Sequence, residues 1–130
     1  MATKKILIVD DEPNIVTALE YLLQRSGYEV LLAQDGEEAL KQVERHLPDL
    51  VLLDVMMSLK SGYEVCQRMR EHTEWRHIKI IMLSAKGREA EVSKGLSVGA
   101  DSYVTKPFSN KDLVAKIQEL LGSAAQPDGK

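Results

Sequence analysis

The sequence predicts an α/β domain with a doubly wound, five-stranded parallel sheet built from five βα units, (βα)5. Five short apolar runs alternate along the chain with segments whose apolar residues have helical spacing. Most of the runs are apolar at consecutive positions rather than at alternate ones, and several contain β-branched residues. This pattern is typical of strands that are buried on both faces of a parallel sheet.

The five runs have the length of strands and are taken in chain order. The first four are clear and the fifth is weaker; they are Ile6 to Val9, Val30 to Ala33, Leu50 to Leu53, Ile80 to Leu83 and Ser102 to Thr105.

A helix is predicted after each strand. In the first and last helices the apolar residues follow i, i+4, i+7, i+8 spacing: Ile15, Leu19, Leu22 and Leu23, then Leu113, Ile117, Leu120 and Leu121. The three helices between them are expected at about Asp35 to His46, Ser61 to His72 and Arg88 to Val98.

Residues at the predicted helix ends support these limits. Asp35 and Glu38 resemble a capping box, and Ser109 is a favourable N-cap for the last helix. Three glycines lie just past helix ends, where a left-handed cap is common: Gly27, Gly99 and Gly122.

Length and composition fit one globular domain. The chain has 130 residues, of which 44% are hydrophobic and 28% charged, and we expect the domain to occupy residues 1–122. Residues 123–130 are small and polar, and we expect them to be disordered or the stub of a linker. The net charge of -3 indicates no general attraction to nucleic acid or to an anionic membrane.

The sequence also predicts a cytoplasmic location. The N-terminal apolar stretch is too short for a signal peptide, and no stretch has the length of a membrane span. The single cysteine, Cys66, excludes an internal disulfide and falls in an apolar helical pattern, so we expect it to be a small buried hydrophobe.

Charged and polar residues follow the predicted strands at the ends where ligands bind in such sheets. Asp10, Asp11 and Glu12 follow the first strand, and Asp54 ends the third. The fourth strand is followed by Ser84 and Ala85, and the fifth by Lys106 and Pro107. We therefore expect carboxylates, one hydroxyl and one ammonium group to meet at one edge of the sheet.

Such a carboxylate cluster needs compensation. Two like charges about 4 Å apart repel by about 4 kcal/mol at an effective dielectric constant near 20. An all-oxygen set of ligands without histidine or cysteine suits Mg²⁺, which keeps several waters and often shares a phosphate oxygen.

Simpler interpretations stay open for the individual residues. Asp11 or Glu12 before Pro13 could begin a helix. Asp54 could form a structural salt bridge with Lys106, since a carboxylate after an apolar strand needs a partner. The combination of these residues at the matching ends of the strands favours a functional site.

Four motifs in order resemble the receiver domain of bacterial two-component response regulators. They are ILIVDDEPNI, DLVLLDVMM, IIMLSAKG and GADSYVTKPFS. The match extends from about Lys5 to Leu121. The resemblance implies a flavodoxin-like sheet with strand order 2-1-3-4-5 and a signalling switch that is phosphorylated.

The resemblance also assigns the acceptor and the metal ligands. Asp54 looks like the nucleophile that becomes an aspartyl phosphate. Asp11 and Asp54 look like direct Mg²⁺ ligands, Asp10 like a ligand through water, and the backbone carbonyl of Met56 like the third protein ligand. Mn²⁺ is an expected substitute for Mg²⁺.

The remaining assignments concern the switch. Lys106 looks like the residue that bridges to a phosphoryl oxygen, and Ser84 like the hydroxyl that binds another. Tyr103 looks like the aromatic residue whose side-chain position reports the switch. The readout surface would be the last two helices and the strand between them. The Lys106–Pro107 peptide bond is cis in the family.

The chain departs from the family in the loop after the acceptor. Ser58 and Ser61 stand where the family usually has Pro and an Asp or Asn. Because this loop carries Met56, the departure bears on metal affinity and on the rate of dephosphorylation, not on the identity of the site.

The resemblance implies partners of two kinds. The phosphoryl donor would be a phosphohistidine on a sensor histidine kinase or a phosphotransfer protein, and the output would go to a downstream effector protein or to a fused effector domain. The chain would catalyse only its own phosphorylation and dephosphorylation, and is not expected to be an enzyme with turnover. Asp101 and Lys116 lie where some family members pair across a dimer face, which leaves dimerisation on phosphorylation open.

Three rival functions fit the sequence less well. A flavin mononucleotide carrier needs a hydroxyl- and glycine-rich turn after the first strand, where this chain has acidic residues. Phosphohydrolases of the haloacid-dehalogenase type resemble one another in a second Asp two residues after the nucleophile, where this chain has Met56. A receiver-like module that is never phosphorylated is disfavoured by the full set of site residues.

Overall fold

Five parallel strands form one sheet in a computed structural model that describes residues 3–56, 61–84 and 89–122, with the backbone alone for 89 and 90. The strands are β1 Lys5–Val9, β2 Glu29–Ala33, β3 Leu50–Asp54, β4 Lys79–Ser84 and β5 Ser102–Thr105. They lie in the order β2-β1-β3-β4-β5. The predicted fold class and strand order are confirmed, and four of the strands begin or end one residue beyond the predicted run.

Helices connect successive strands. They are α1 Pro13–Arg25, α2 Gly36–His46, α3 Gly62–Glu71, α4 Glu89–Ser97 and α5 Asn110–Leu121. A short 3-10 turn, Thr73–Trp75, follows α3 and was not predicted. Four parts of the sequence prediction fall outside the described residues: Ser58, Ala85, the predicted helix start at Arg88, and residues 123–130.

The sheet is covered on both faces by apolar side chains. Leu19 and Leu23 of α1 pack with Leu113 and Ile117 of α5 on one face. The other face carries buried residues of α2 and α3: Ala39, Val43, Val65, Cys66 and Met69. The three central strands β1, β3 and β4 therefore contribute consecutive buried residues, whereas the edge strands β2 and β5 are mostly only partly buried. Burial on both faces explains the unbroken apolar runs of the central strands.

Side-chain caps fix the helix starts that lie near the sheet edge. A carboxylate oxygen of Asp35 accepts the backbone N–H of Glu38 at 2.9 Å. Ser61 and Ser109 accept the backbone N–H groups three residues later, each at 3.2 Å. These bonds satisfy N–H groups that a helix leaves unpaired at its first turn.

The C-terminal caps are partly as predicted. Gly27, Gly99 and Gly122 have positive φ angles of 97°, 115° and 81°. Leu47, which ends α2, also has a positive φ of 49°, which was not predicted because leucine rarely adopts that conformation.

Two further predictions concern exposure and the membrane. The thiol of Cys66 is buried and burial raises its pKa to about 11, as befits an unreactive core cysteine. Among the described residues, no helix combines the length and the apolar character that a membrane crossing requires.

Candidate metal and phosphoryl-acceptor site

The carboxyl ends of β1 and β3 bring three acidic residues together. Val9 pairs with Leu53 in the parallel register, so the residues that follow them lie side by side. Asp10, Asp11 and Asp54 each offer an oxygen within 4.8 Å of the others. The juxtaposition that the sequence predicted is present.

Asp54 lies in a buried position at the last residue of β3. It is 6% exposed, and its Oδ1 accepts the backbone N–H of Met56 at 3.3 Å. Burial and the neighbouring charge of Asp10 raise the pKa of Asp54 to about 6, although Lys106 and the Met56 N–H act in the opposite direction. The carboxylate is thus held where its negative charge is poorly compensated.

Asp10 is even more enclosed, with 1% of its surface exposed. Its Oδ1 accepts the backbone N–H of Glu12 at 2.9 Å, and its Oδ2 accepts a hydrogen bond from Lys106 Nζ at 3.1 Å. Both oxygens therefore have a partner, which fixes the orientation of the carboxylate beside Asp54.

Lys106 follows β5 and reaches across the strand ends to β1. Its Nζ lies 3.1 Å from Asp10 Oδ2 and 3.6 Å from Asp54 Oδ1. The interpretation of Asp54 and Lys106 as a pair therefore missed the shorter contact, which is with Asp10. Burial lowers the pKa of Lys106, but the hydrogen bond from its ammonium to Asp10 and the charge of Asp54 outweigh it and the net shift is upward.

The strand ends around Lys106 bring Ser84 to the same edge. Ser84 is the last residue of β4, is fully buried, and pairs with Thr105. The backbone N–H of Lys106 donates to the carbonyl of Ser84 at 2.7 Å. Asp54 of β3 pairs with Leu83 of β4, so Ser84 lies one residue beyond the partner of Asp54.

Three other predicted features flank the cluster. Asp11 is exposed, and Met56 exposes 58% of its surface beside Asp54. The Lys106–Pro107 peptide bond is cis. Glu12 occupies the N-cap position of α1 with Pro13 at the first turn, so the helix-start interpretation applies to Glu12, while Asp11 belongs to the acidic cluster.

A glycine, Gly62, allows α3 to approach the end of β3. The backbone N–H of Gly62 donates to the carbonyl of Val55 at 2.9 Å. A Cβ at position 62 would collide with the carbonyl oxygen of Asp54 and lie 2.9 Å from Cα of Val55. Residue 62 must therefore be glycine for the first turn of α3 to lie this close to the backbone of Asp54.

Tyr103 lies apart from the carboxylates, on β5, and is partly buried. Its ring packs against Gly95 of α4, where an added Cβ would lie 2.9 Å from Cδ2 of the ring. The sequence predicted a role for Tyr103 but none for Tyr63 of α3, whose hydroxyl donates to the backbone carbonyl of Glu91 at 3.3 Å.

The charges of the cluster do not balance. Among the described residues, two buried carboxylates and the exposed Asp11 face one ammonium group, that of Lys106. The raised pKa of Asp54 is the consequence of that excess negative charge together with burial. A small oxygen-loving divalent cation fits this set of donors, because it would supply the missing positive charge.

The family model of the response regulator receiver domain matches residues 6–118. The chain is 50% identical over 118 residues to the alkaline phosphatase synthesis transcriptional regulatory protein PhoP of Bacillus subtilis, a match that covers 91% of this chain and 48% of that protein. The chain spans about half the length of such curated relatives.

Solved structures have the same architecture. A putative response regulator from Chloroflexus aurantiacus is 38% identical with a TM-score of 0.89, over 92% of this chain and 98% of that one. The receiver domain of a sensor histidine kinase from Pseudomonas aeruginosa is 31% identical with a TM-score of 0.86, over 93% and 99% of the two chains, and its active-site cleft coordinates a magnesium ion.

Proposed function

The chain belongs to the family of response regulator receiver domains, and we propose that Asp54 is the residue on which this domain accepts a phosphoryl group. The observation that carries the proposal is the position of the Asp54 carboxylate. It ends a buried strand, stands beside a second buried carboxylate, and lies 3.6 Å from an ammonium group.

Asp54 is favoured over its acidic neighbours by its contacts. Both oxygens of Asp10 are hydrogen-bonded, one to a backbone N–H and one to Lys106. Asp11 is exposed to solvent and lies at the rim. Asp54 combines burial with one hydrogen bond from the described residues, at its Oδ1, and its other oxygen is the one we assign to attack on phosphorus as a carboxylate nucleophile.

Asp10, Asp11 and Asp54 would hold Mg²⁺, together with the backbone carbonyl of Met56, and Mn²⁺ would substitute. Their oxygens already lie within 4.8 Å of one another, and the related kinase receiver domain coordinates magnesium in the corresponding cleft. When bound, the ion supplies positive charge that offsets the charge on the transferring phosphoryl group.

Lys106 and Ser84 would bind the transferred group. The ammonium of Lys106 lies between the carboxylates of Asp10 and Asp54, so it can bind an oxygen of a phosphoryl group on Asp54. Each new charge-assisted hydrogen bond contributes about 1.5–3 kcal/mol, and moving a two-state equilibrium from 1:99 to 99:1 takes about 5.5 kcal/mol. Bonds from Lys106 and Ser84 would therefore supply a bias of the required size.

The domain would act as a switch within a phosphorelay. The donor would be a phosphohistidine on a sensor kinase or a phosphotransfer protein, and Tyr103 with α4, β5 and α5 would carry the change to an effector protein or domain. Asp101, a candidate for pairing across a dimer face, is instead engaged within the chain by Arg70 at 2.9 Å.

Labelling with acetyl phosphate tests the acceptor. We expect a Mg²⁺-dependent increase in intact mass by one phosphoryl group, lost on chelation and lost in Asp54→Asn. The control is Asp35→Asn, which makes the same acid-to-amide change at a helix cap where asparagine is equally suitable. A label that persists in Asp54→Asn, or that is lost equally in Asp35→Asn, would remove Asp54 from this role.

A further inference from the structure

A groove of about 640 Å³ lies between α2 and α3, on the face of the sheet opposite to α1 and α5. It is bordered by α2, by the end of α3 and by the 3-10 turn Thr73–Trp75. Of the described residues that line it, Trp75 is buried and Leu40 partly buried, while the charged residues are exposed. An apolar floor with a charged rim is the usual anatomy of a protein–protein interface.

Leu47 borders this groove in a conformation that leucine seldom adopts. It closes α2 with a φ of 49°, and 51% of its surface is exposed. Left-handed backbone costs free energy for a residue with a Cβ, and glycine or asparagine is the usual choice at such a cap. The free domain therefore keeps both a strained backbone and an exposed apolar side chain at one position, a combination that points to a role beyond folding.

Apolar side chains border the groove on both of its helices. On the α3 side, the ring centroids of His72 and Trp75 lie 4.1 Å apart, with the planes tilted by 30°. On the α2 side, Leu40 and Leu47 are two helical turns apart, so they lie on the same side of the helix. From Glu37 to Leu47 the groove has a length of about 15 Å, which is about three turns of a helix.

The rim of the groove has an excess of negative charge. Among the described residues, four glutamates line it against one lysine and one arginine, which leaves two uncompensated formal charges. These residues are Glu37, Glu44, Glu71 and Glu74, with Lys41 and Arg68. A second copy of this chain, with its net charge of -3, would bring like charges together. Charge complementarity therefore favours a basic partner.

The lining also favours a protein segment over a small molecule. Small-molecule sites are lined mostly by apolar side chains, whereas seven of the ten described lining residues are ionisable. A helix suits the space between two helices, because its side-chain ridges pack into the groove between its neighbours.

We propose that the groove between α2 and α3 binds a basic amphipathic helix of a partner protein, with an apolar side chain against Leu47 and Trp75 and with lysines or arginines toward the glutamates of the rim. The proposal goes beyond phosphoryl acceptance and does not depend on it, because the described residues of the groove are distinct from those of the acceptor site.

The probe for this surface is a helical peptide of about 11 residues, three turns long, with leucine on one face and lysine on the other. When it is added to the full chain, we expect the NMR amide shifts to change on α2, α3 and the turn Thr73–Trp75. The same peptide with glutamate in place of lysine should bind at least about 10-fold more weakly, because like charges then meet at the rim.

Leu47→Ala removes most of the exposed apolar side chain. It should weaken binding of the lysine peptide by about 10-fold, the loss expected when one leucine is no longer buried in the complex. Leu96→Ala is the matched control, because Leu96 is a leucine of similar exposure, 46%, on α4, and this variant should bind like the wild type. Leu47→Gly should weaken binding as much as Leu47→Ala, and it keeps the test valid if the alanine variant unfolds, because glycine adopts left-handed backbone without strain.

Four results would overturn the proposal. They are amide shifts centred on the acidic cluster of Asp10, Asp11 and Asp54 instead of the groove, equal affinity for the lysine and glutamate peptides, wild-type affinity in both Leu47 variants, and a dimer of the free chain in sedimentation that Leu47→Ala dissociates. The last result would give the groove to a second copy. Failure of the proposed function would instead show as absent labelling of the wild-type protein by acetyl phosphate, which leaves the peptide measurement intact.

Discussion

Charged clusters lie at opposite edges of the sheet, and they differ in how completely they are compensated. At the amino edge, Nη2 of Arg70 lies 2.9 Å from Oδ2 of Asp101. At the carboxyl edge, Lys106 faces Asp10 and Asp54. Both clusters join distant parts of the chain, yet only one of them has the character of a reactive site.

The amino-edge cluster is saturated. Nε of Arg70 donates to the carbonyl of Gly99 at 2.9 Å, and Nη1 donates to that of Ile78 at 2.8 Å. Asp101 accepts the backbone N–H of Ile80 at 2.8 Å in addition to the guanidinium. One positive charge meets one negative charge, and all three guanidinium nitrogens have partners, which is the pattern of a structural tie.

The carboxyl-edge cluster has an excess of negative charge. Counting the described residues, one ammonium lies against two buried carboxylates, and burial and the charge of Asp10 raise the pKa of Asp54 to about 6. Charge balance, rather than the presence of an ion pair, therefore distinguishes a cluster that only stabilises the fold from one that can bind a cation and react.

Arg70→Met should have the largest effect on stability. It leaves Asp101 and several backbone carbonyls without their partner, and we expect a loss of about 3 kcal/mol in the free energy of unfolding. Urea unfolding followed by the fluorescence of Trp75, the single tryptophan, measures this. Addition of Mg²⁺ should not restore the loss, and a restoration would contradict the structural role of this cluster.

The free energy of unfolding should depend on pH through the carboxyl-edge cluster, because Asp54 titrates there. Because the pKa of Asp54 is raised to about 6 in the folded state, the folded protein holds a proton that the unfolded chain releases near pH 4. Without divalent ions, stability should therefore fall by about 2 kcal/mol as the pH rises from about 4 to about 7.

The control for this measurement is Asp54→Asn, which cannot titrate at that position. We expect this part of the pH dependence to disappear in the variant and to be reduced in the wild-type protein by Mg²⁺. A pH profile that is the same in Asp54→Asn and in the wild type would show that the carboxyl-edge cluster is already compensated.

Lys106→Met is the counterpart of the arginine substitution. In the part of the chain that the structure describes, it removes the one cation beside two buried carboxylates. We expect a loss of about 1–2 kcal/mol in the free energy of unfolding at neutral pH, since protonation of Asp54 relieves part of the repulsion. Mg²⁺ or a lower pH should recover most of it. Equal losses with and without Mg²⁺ would make Lys106 a structural tie like Arg70.

Asp11→Asn should have the smallest effect on stability, below about 0.5 kcal/mol, because Asp11 is exposed. Mg²⁺ binding measured by calorimetry should nevertheless weaken, because one of the three carboxylates of the cluster is lost. Asp112→Asn, an exposed residue on α5, is the control. Unchanged Mg²⁺ affinity in Asp11→Asn would exclude Asp11 as a ligand.

The sequence predicted most of what depends on local pattern. Buried parallel strands leave consecutive apolar residues, and Asp35 and Ser109 cap helices with short-range bonds that the sequence displays. The carboxylate cluster followed because parallel strands end at a common edge.

What the sequence did not predict depends on packing between distant residues. The shorter contact of Lys106 is with Asp10, 96 residues away, and no local pattern distinguishes that partner from Asp54. Tyr63 has the spacing of an ordinary helix residue, so its hydrogen bond to α4 is visible only in three dimensions. Leu47 adopts a left-handed backbone that its side chain does not favour.

The reach of Lys106 makes charge compensation at Asp10 and Asp54 dependent on the last βα unit. β5 is separated from β1 by two intervening strands, so the ammonium arrives at Asp10 only after every strand between them has taken its place. A folding intermediate that lacked β5 would carry the acceptor without its counter-charge. Only a chain with an intact C-terminal unit would then be competent to receive a signal, which guards against response by incompletely folded copies.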